Sequence, residues 1–411
     1  MYENDAAPNA SVVIPTYNRA GLLRDTLHQL TRQTVPAGDF EVIVSDDGSS
    51  DETADVVREF TDRLRIRYRF QEDRGARIAL ARNQGARLAT GRVLVFLDTG
   101  AMVGPDFLRS HLAVHDAAEP RAVIGYAFGY NPSDPMRQLA GPLDLSEPEA
   151  VWERFRDDPA FRDIRHEQFT GCGFDLSRRR TPWSMLFTIN FSVDRAAFWA
   201  IDGFDEQISG WGGEDLELGY RLHRDGVAFH STYDGWVIES SHERNMDVSF
   251  SEFISNMAQI LAKHPQPAME LGWALVGWTR PFWDWEKEYR ALEEWTAEVG
   301  GASVAGELAA SLGEVLAGSR IAVFGSGGDI PSDLPPSVLV EFDRGLLDAA
   351  LAGGAHEGHH SIGLRTPLAD GAVDTVVITS RLSGLWKRWG DDLTAEAGRV
   401  GRRVINLADR P

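Results

Sequence analysis

Four short runs, SVVIP (11–15), FEVIVSDD (40–47), RIRYRF (65–70) and RVLVFLD (92–98), punctuate the first hundred residues, and helical patterns fill the gaps between them. The runs are too short for ordinary helices and rich in Val, Ile and aromatic residues, so they are predicted strands. The first gap carries Leu22, Leu23, Leu27 and Leu30 on one helical face. The second opens with SSDETADVVREF, a Ser/Asp cap followed by an acidic first turn. The third, ARIALARNQGARLATG, ends at Gly91. Alternation of this kind constrains the chain to an α/β fold, a Rossmann-like, mostly parallel sheet flanked by helices. Such sheets bind ligands beyond the carboxyl ends of their strands. Asp46, Asp47 and Asp98 all fall at those ends.

Composition narrows the partners. The 411 residues suffice for two or three domains. A net charge of −21 argues against nucleic acid or an anionic membrane as a partner. Cys172 is the only cysteine, which excludes an internal disulfide and fits a reducing compartment. The opening MYENDAAPNA lacks a signal-peptide core, and no run approaches the roughly 20 apolar residues of a membrane span. A cytoplasmic location is the expectation.

Downstream, residues 130–185 are rich in Pro, Asp and Arg, and MLFTINFSV (185–193) reads as a strand. Residues 250–299 are helical in pattern and carry Trp273, Trp278, Trp283, Trp285 and Trp295. Packing is the first reading of these rings, a sugar platform at Trp273, Trp278 or Trp283 the second. VGGASVAG (299–306) marks a boundary, after which RIAVFGSGGD (320–329), VLVEFD (338–343) and AVDTVVITS (372–380) outline a smaller α/β unit. The expected domains are 1–248, 249–300 and 301–411.

Two stretches carry the chemistry. IPTYNR (14–19) and SDDGSSDET (45–53) stand at consecutive strand ends. Singly they are ordinary turns. Together they offer an aromatic ring to stack on a nucleobase and a carboxylate to accept its ring N–H. SGWGGEDLELGYRLHRDG (209–226) places Glu214 and Asp215 directly after Gly212 and Gly213. Two carboxylates there suit a helix N-terminus first, and second an acid/base site that a substrate approaches across glycine.

These motifs resemble family 2 glycosyltransferases with the GT-A fold, over residues 10–245. The resemblance implies that Pro15, Tyr17 and Asp47 contact the uridine of a UDP-sugar donor, Asp47 reading the uracil, with Thr16 and Asn18 also binding the donor. Arg77 or Arg82 would meet the nucleotide or its phosphates, and the sequence does not choose between them. Asp98 and Thr99 fall at the family's Asp-x-Asp motif, with Gly100 in place of the second aspartate. The implied cofactor is a divalent cation, Mg or Mn, on Asp98 and His242 of VIESSHERN (237–245); His223 and His230 are weaker candidates. Trp211, Gly212, Gly213 and Glu214 would bind the acceptor, with Asp215 as the general base of an inverting reaction that needs it ionised. Side chains at this helix start should point into the cleft, with Glu217 and Arg221 pairing on the solvated face. The implied activity moves a hexose, glucose, to a hydroxyl of a small-molecule acceptor such as an aminocyclitol. The C-terminal unit resembles a reduced methyltransferase domain, expected to be structural or to support a homo-oligomer. Two alternatives stay open: a sugar-nucleotide-binding module without transfer, favoured by Gly100, and a bifunctional enzyme whose C-terminal unit binds S-adenosylmethionine.

Overall fold

The computed structural model describes residues 7–131, 139, 143–240, 246–276, 282–313 and 318–409. The chain divides into two compact units, Met1–Asn256 and Met257–Pro411.

In the first unit, β1 (Ala10–Thr16), α1 (Ala20–Leu30), β2 (Phe40–Asp46), α2 (Thr53–Glu59), β3 (Ile66–Phe70), α3 (Ile78–Leu88) and β4 (Val93–Leu97) follow the predicted alternation. The four strands are parallel, in the order β3-β2-β1-β4. Every residue of β1, β2 and β4 is buried, as befits strands covered on both faces. Thr16 pairs with Asp46 and Val13 with Phe96, so the turns after β1, β2 and β4 open along one sheet edge.

The unit continues through β5 (Ala101–Val103), α4 (Phe107–Val114), β6 (Arg121–Phe128), α5 (Pro148–Phe155), α6 (His166–Gly171), β7 (Asn190–Asp194), α7 (Arg195–Ala200), α8 (Glu214–Arg224) and β8 (Ala228–Glu239). These complete an eight-stranded sheet, β3-β2-β1-β4-β7-β6-β8-β5, in which β7 and β5 run against their neighbours. The strand expected over 185–193 starts later, because Pro182–Met185 coil into a 3₁₀ turn. The Pro-, Asp- and Arg-rich segment before it is ordered by a fully buried pair. Arg165 donates to Asp163 and to the carbonyls of Met185 and Gly125, while Asp163 accepts the N–H of Ala127 on β6.

Helix α4 is tied to β7 through two buried histidines. His111 has Nδ1 and Nε2 each 2.8 Å from Ser192 Oγ and Asn190 Oδ1. His115 bridges Ser192 and Asp194. Burial pushes His111 down to about 3, so it stays neutral.

Helix α9 (Met246–Lys263) crosses the boundary between the units. In the second unit α10 (Pro267–Leu275), α11 (Trp285–Val299) and α12 (Ala305–Leu312) precede β9 (Ile321–Phe324), β10 (Val338–Glu341), α13 (Arg344–Leu351), β11 (Glu357–His360), β12 (Val373–Ile378), α14 (Ser383–Val400) and β13 (Gly401–Asn406). The five strands are all parallel, ordered β11-β10-β9-β12-β13. That arrangement reverses between β9 and β12, as in dinucleotide-binding sheets. The segment expected to stand alone as 249–300 does not do so: its helices from Met257 onward group with this unit. Two contacts explain why. Glu270 on α10 is fully buried and accepts hydrogen bonds from Ser361 Oγ and from the N–H groups of Ile362, Gly363, Leu364 and Arg365. Trp295 Nε1 donates to the carbonyl of Arg381 at 2.8 Å. Trp285 is likewise a packing residue, donating to the carbonyl of Ala268. No described helix is long and apolar enough to cross a membrane.

Candidate active site

A cavity of about 510 Å³ lies at the sheet edge where β1, β2 and β4 end. Pro15, Thr16, Tyr17, Asp47, Arg77, Asp98, Thr99 and Trp211 of the expected site line it. At one end Asp47 is fixed by three donors: Gln71 Nε2, the N–H of Arg77 (2.8 Å) and the Arg77 guanidinium (3.3 Å). Asp46 beside it is spent on structure, accepting from Gly48, Ser49 and the Tyr68 hydroxyl. Asn18 is also spent: it sits at φ +49 and its side-chain oxygen accepts the N–H of Ser50. Asn18 therefore braces the two strand-end turns and is not among the cavity-lining residues.

The two arginines separate cleanly. Arg77 lines the cavity, whereas Arg82 is buried behind it as a bridge. Its NH2 meets Asp98 at 2.9 Å and its NH1 meets Glu214 at 2.8 Å. One guanidinium thus joins the strand-end carboxylate to the carboxylate of the Trp-Gly-Gly-Glu-Asp motif.

Glu214 and Asp215 begin α8, and neither is among the residues lining the cavity. Glu214 is buried and Asp215 is partly exposed, so the lining does not carry the expectation that this helix start points its side chains into the cleft. Burial and the neighbouring Glu214 carboxylate push Asp215 up to about 8. The expectation of an ionised aspartate rested on the helix dipole, which is weaker than desolvation beside a like charge. Glu217 and Arg221 do pair, at 2.6 Å, but Glu217 is buried rather than solvated, and Arg221 also holds the carbonyl of Gly203.

Residues 11–180 match the family described as Glycosyl transferase family 2, and residues 169–240 match the N-terminal domain of galactosyltransferase. The validoxylamine A glucosyltransferase of Streptomyces hygroscopicus subsp. jinggangensis (strain 5008) is 43% identical over 413 residues, covering 97% of this chain and 96% of that protein. Its counterpart from subsp. limoneus is 44% identical, with coverages of 97% and 90%. The chain belongs to glycosyl transferase family 2. A solved mannosyltransferase from Pyrobaculum calidifontis, in complex with GDP-Man and Mn2+, aligns at TM-score 0.46 and 20% identity over 75% of this chain and 81% of that one.

As a family 2 glycosyltransferase, the chain is an enzyme, and its cavity is built for a polar ligand. Among the described residues, two buried polar atoms of its lining, Thr16 Oγ1 and Arg77 Nε, and three of residues outside the lining, Gln71 Oε1, Arg82 Nε and Glu214 Oε2, have no hydrogen-bond partner. Buried orphans are rare and point to something that fills them. The lining charges are Asp47, Asp73, Asp98 and Glu239 against Arg19 and Arg77. Arg19, Asp73 and Glu239 were missed from the sequence, although Arg19 follows Asn18 in the same turn and Glu239 closes β8, a strand end like Asp98.

The family's Asp-x-Asp position explains its own departure. Gly100 sits at φ +95, a left-handed conformation that disfavours aspartate, and a Cβ there would come within 3.3 Å of Leu22. Asp98 remains as one oxygen donor facing the cavity. Among the described residues no group of three His, Cys, Asp or Glu could hold a metal. His242 lies outside the described residues, as does Trp278. His223 packs on Trp183 and His230 lies within β8; neither lines the cavity.

Proposed function

We propose that this enzyme transfers glucose from UDP-glucose to a hydroxyl of an aminocyclitol-type acceptor, with inversion at the anomeric carbon. The near full-length identity of 43–44% to enzymes named as validoxylamine A glucosyltransferases supports the donor and acceptor classes. The observation that carries the mechanism is the Asp98–Arg82–Glu214 bridge beside the cavity, which couples a donor-side carboxylate to the acceptor-side motif.

In this reading Asp47 accepts the uracil ring N–H, held for the task by Gln71 and Arg77. Tyr17, half-exposed with its hydroxyl on Asp73, lays its ring against the base. Thr16 and Thr99 contact the donor on the same wall. Glu214 Oε2 accepts a hydrogen bond from an acceptor hydroxyl, while Trp211 covers a sugar-ring face. Asp215 takes the proton of the attacking hydroxyl. The acceptor oxygen bonds to the anomeric carbon as its bond to the diphosphate oxygen breaks, and UDP leaves with that electron pair. A carboxylate that titrates near 8 is a stronger base than an ordinary one and stands close to working pH.

A diphosphate entering among four carboxylates and two guanidiniums needs further positive charge. Asp98, with His242, would hold a divalent cation, Mg or Mn. When bound, that cation neutralises the departing diphosphate.

We infer that the second unit does not bind S-adenosylmethionine. The crevice between β9 and β12 is the ligand position of such sheets. Here Arg381 fills it, fully buried on Glu341 and on the carbonyls of Gly300 and Ala302. Glu341 in turn accepts the N–H of Gly327 in the glycine-rich loop.

Incubation of the protein with labelled UDP-glucose and validoxylamine A tests the main reading. A labelled glucoside of validoxylamine A is expected; release of UDP with no labelled acceptor would refute it.

A further inference from the structure

We propose that Glu252 and Asn256 on α9 are positioning residues for the acceptor. They hold the loop 209–213 in the shape that sets Trp211 at the cavity and starts α8 at Glu214. The inference rests on the roles given above to Trp211 and Asp215.

The loop has little to fix its own shape. Gly210, Gly212 and Gly213 all take positive φ, at +76, +83 and +95, and glycine chains of this kind are the most costly to order. Among the described residues two backbone hydrogen bonds reach the loop from elsewhere, Gly210 N–H to the carbonyl of Ala76 at 3.3 Å and Glu217 N–H to the carbonyl of Gly213 at 3.0 Å. The other hooks come from one face of α9. Asn256 is 2% exposed and uses both Nδ2 protons, on the carbonyls of Ser209 (3.0 Å) and Gly212 (2.8 Å). One turn earlier, Glu252 Oε2 accepts the Trp211 N–H at 2.9 Å. Phe253 completes the face: its ring meets the Trp211 ring edge-on at 6.1 Å, and a Cβ on Gly212 would come within 3.1 Å of it.

Three hydrogen bonds and one ring contact thus select a single conformation from the many open to Ser209–Gly213. Neither Glu252 nor Asn256 lines the cavity, whereas Trp211 does. Their influence passes through the loop to the acceptor side. The donor wall, built from the ends of β1, β2 and β4, is held by the sheet.

The test combines kinetics with hydrogen exchange on the full-length protein. In Asn256→Ala and Glu252→Ala, amide exchange across 209–216 speeds up while β1 to β4 keep their protection. The KM for validoxylamine A rises about tenfold in each, and the KM for UDP-glucose stays within about twofold. Glu252→Gln behaves as wild type, because its amide oxygen still accepts the Trp211 N–H. Unchanged exchange across 209–216 in both alanine variants would overturn the proposal. So would a parallel rise of both KM values with loss of protection through the sheet, the mark of general destabilisation. If the wild type transfers no sugar, the proposed function fails, and the exchange measurement still decides whether α9 shapes the loop.

Discussion

Arg82 and Glu214 are 132 residues apart in the chain and 2.8 Å apart in the fold, with side chains 2% and 7% exposed. The same guanidinium holds Asp98. Replacing Arg82 by Met keeps most of its volume and leaves two carboxylates without their shared cation. Removal of one partner from a buried ion pair costs about 3–5 kcal/mol. Urea unfolding of Arg82→Met should show a loss of that order, and sugar transfer should vanish with it. Arg82→Lys, a point charge that reaches one partner at a time, should fall between.

Asp215→Asn removes the proposed base while keeping the shape of the helix start. Turnover should fall by about 10²–10⁴-fold with UDP-glucose affinity retained. The pH profile follows from the raised titration. The ionised form of Asp215 builds up as pH rises through about 8. The rate should therefore climb with pH across that value and level off above it. A pH profile of the same shape in Asp215→Asn as in the wild type would exclude Asp215 as the base.

Chelation should silence the enzyme, and added Mg or Mn should restore it. Asp98→Asn should raise the concentration of cation needed for half-maximal rate, read from a metal titration. Full activity in the presence of a strong chelator would remove Asp98 and His242 from this role.

Acid should weaken the first unit through His111. Its native value of about 3 lies below the roughly 6.5 of an unfolded chain. The stability tied to its neutral form is complete above pH 6.5 and is lost as pH falls towards 3, amounting to about 3 kcal/mol by pH 4. Urea midpoints measured from pH 7 to pH 4 should fall accordingly, and His111→Asn should flatten the slope.

S-adenosylmethionine titrated into the full-length protein should give no binding heat. A dissociation constant tighter than about 100 µM would mean that Arg381 swings out of the crevice.

The parallel core was readable because β1, β2 and β4 are buried along their length and show as short, largely apolar runs, the last two leading into Asp47 and Asp98, while β3 shows as an alternating run. The nucleotide wall followed from those ends. Less could be read where the deciding partner is distant in sequence. Asp215 was read as a base kept ionised by the helix dipole, and only the fold brings the Glu214 carboxylate and the desolvation that raise its titration. The Glu217–Arg221 spacing announced a pair but not its burial. Residues 143–186 defied periodicity because one buried pair, Asp163 and Arg165, organises them. Asn18 was read with the donor site by its neighbours Tyr17 and Pro15, yet its side chain answers to Ser50.

The nest of donors around Glu270 has a practical consequence for anyone wishing to study the second unit by itself. A clone begun near residue 301, where glycine and alanine invite a cut, would strip four peptide N–H groups and a serine hydroxyl of the carboxylate they close upon. The minimal expressible fragment must begin upstream of Pro267, carrying its own plug.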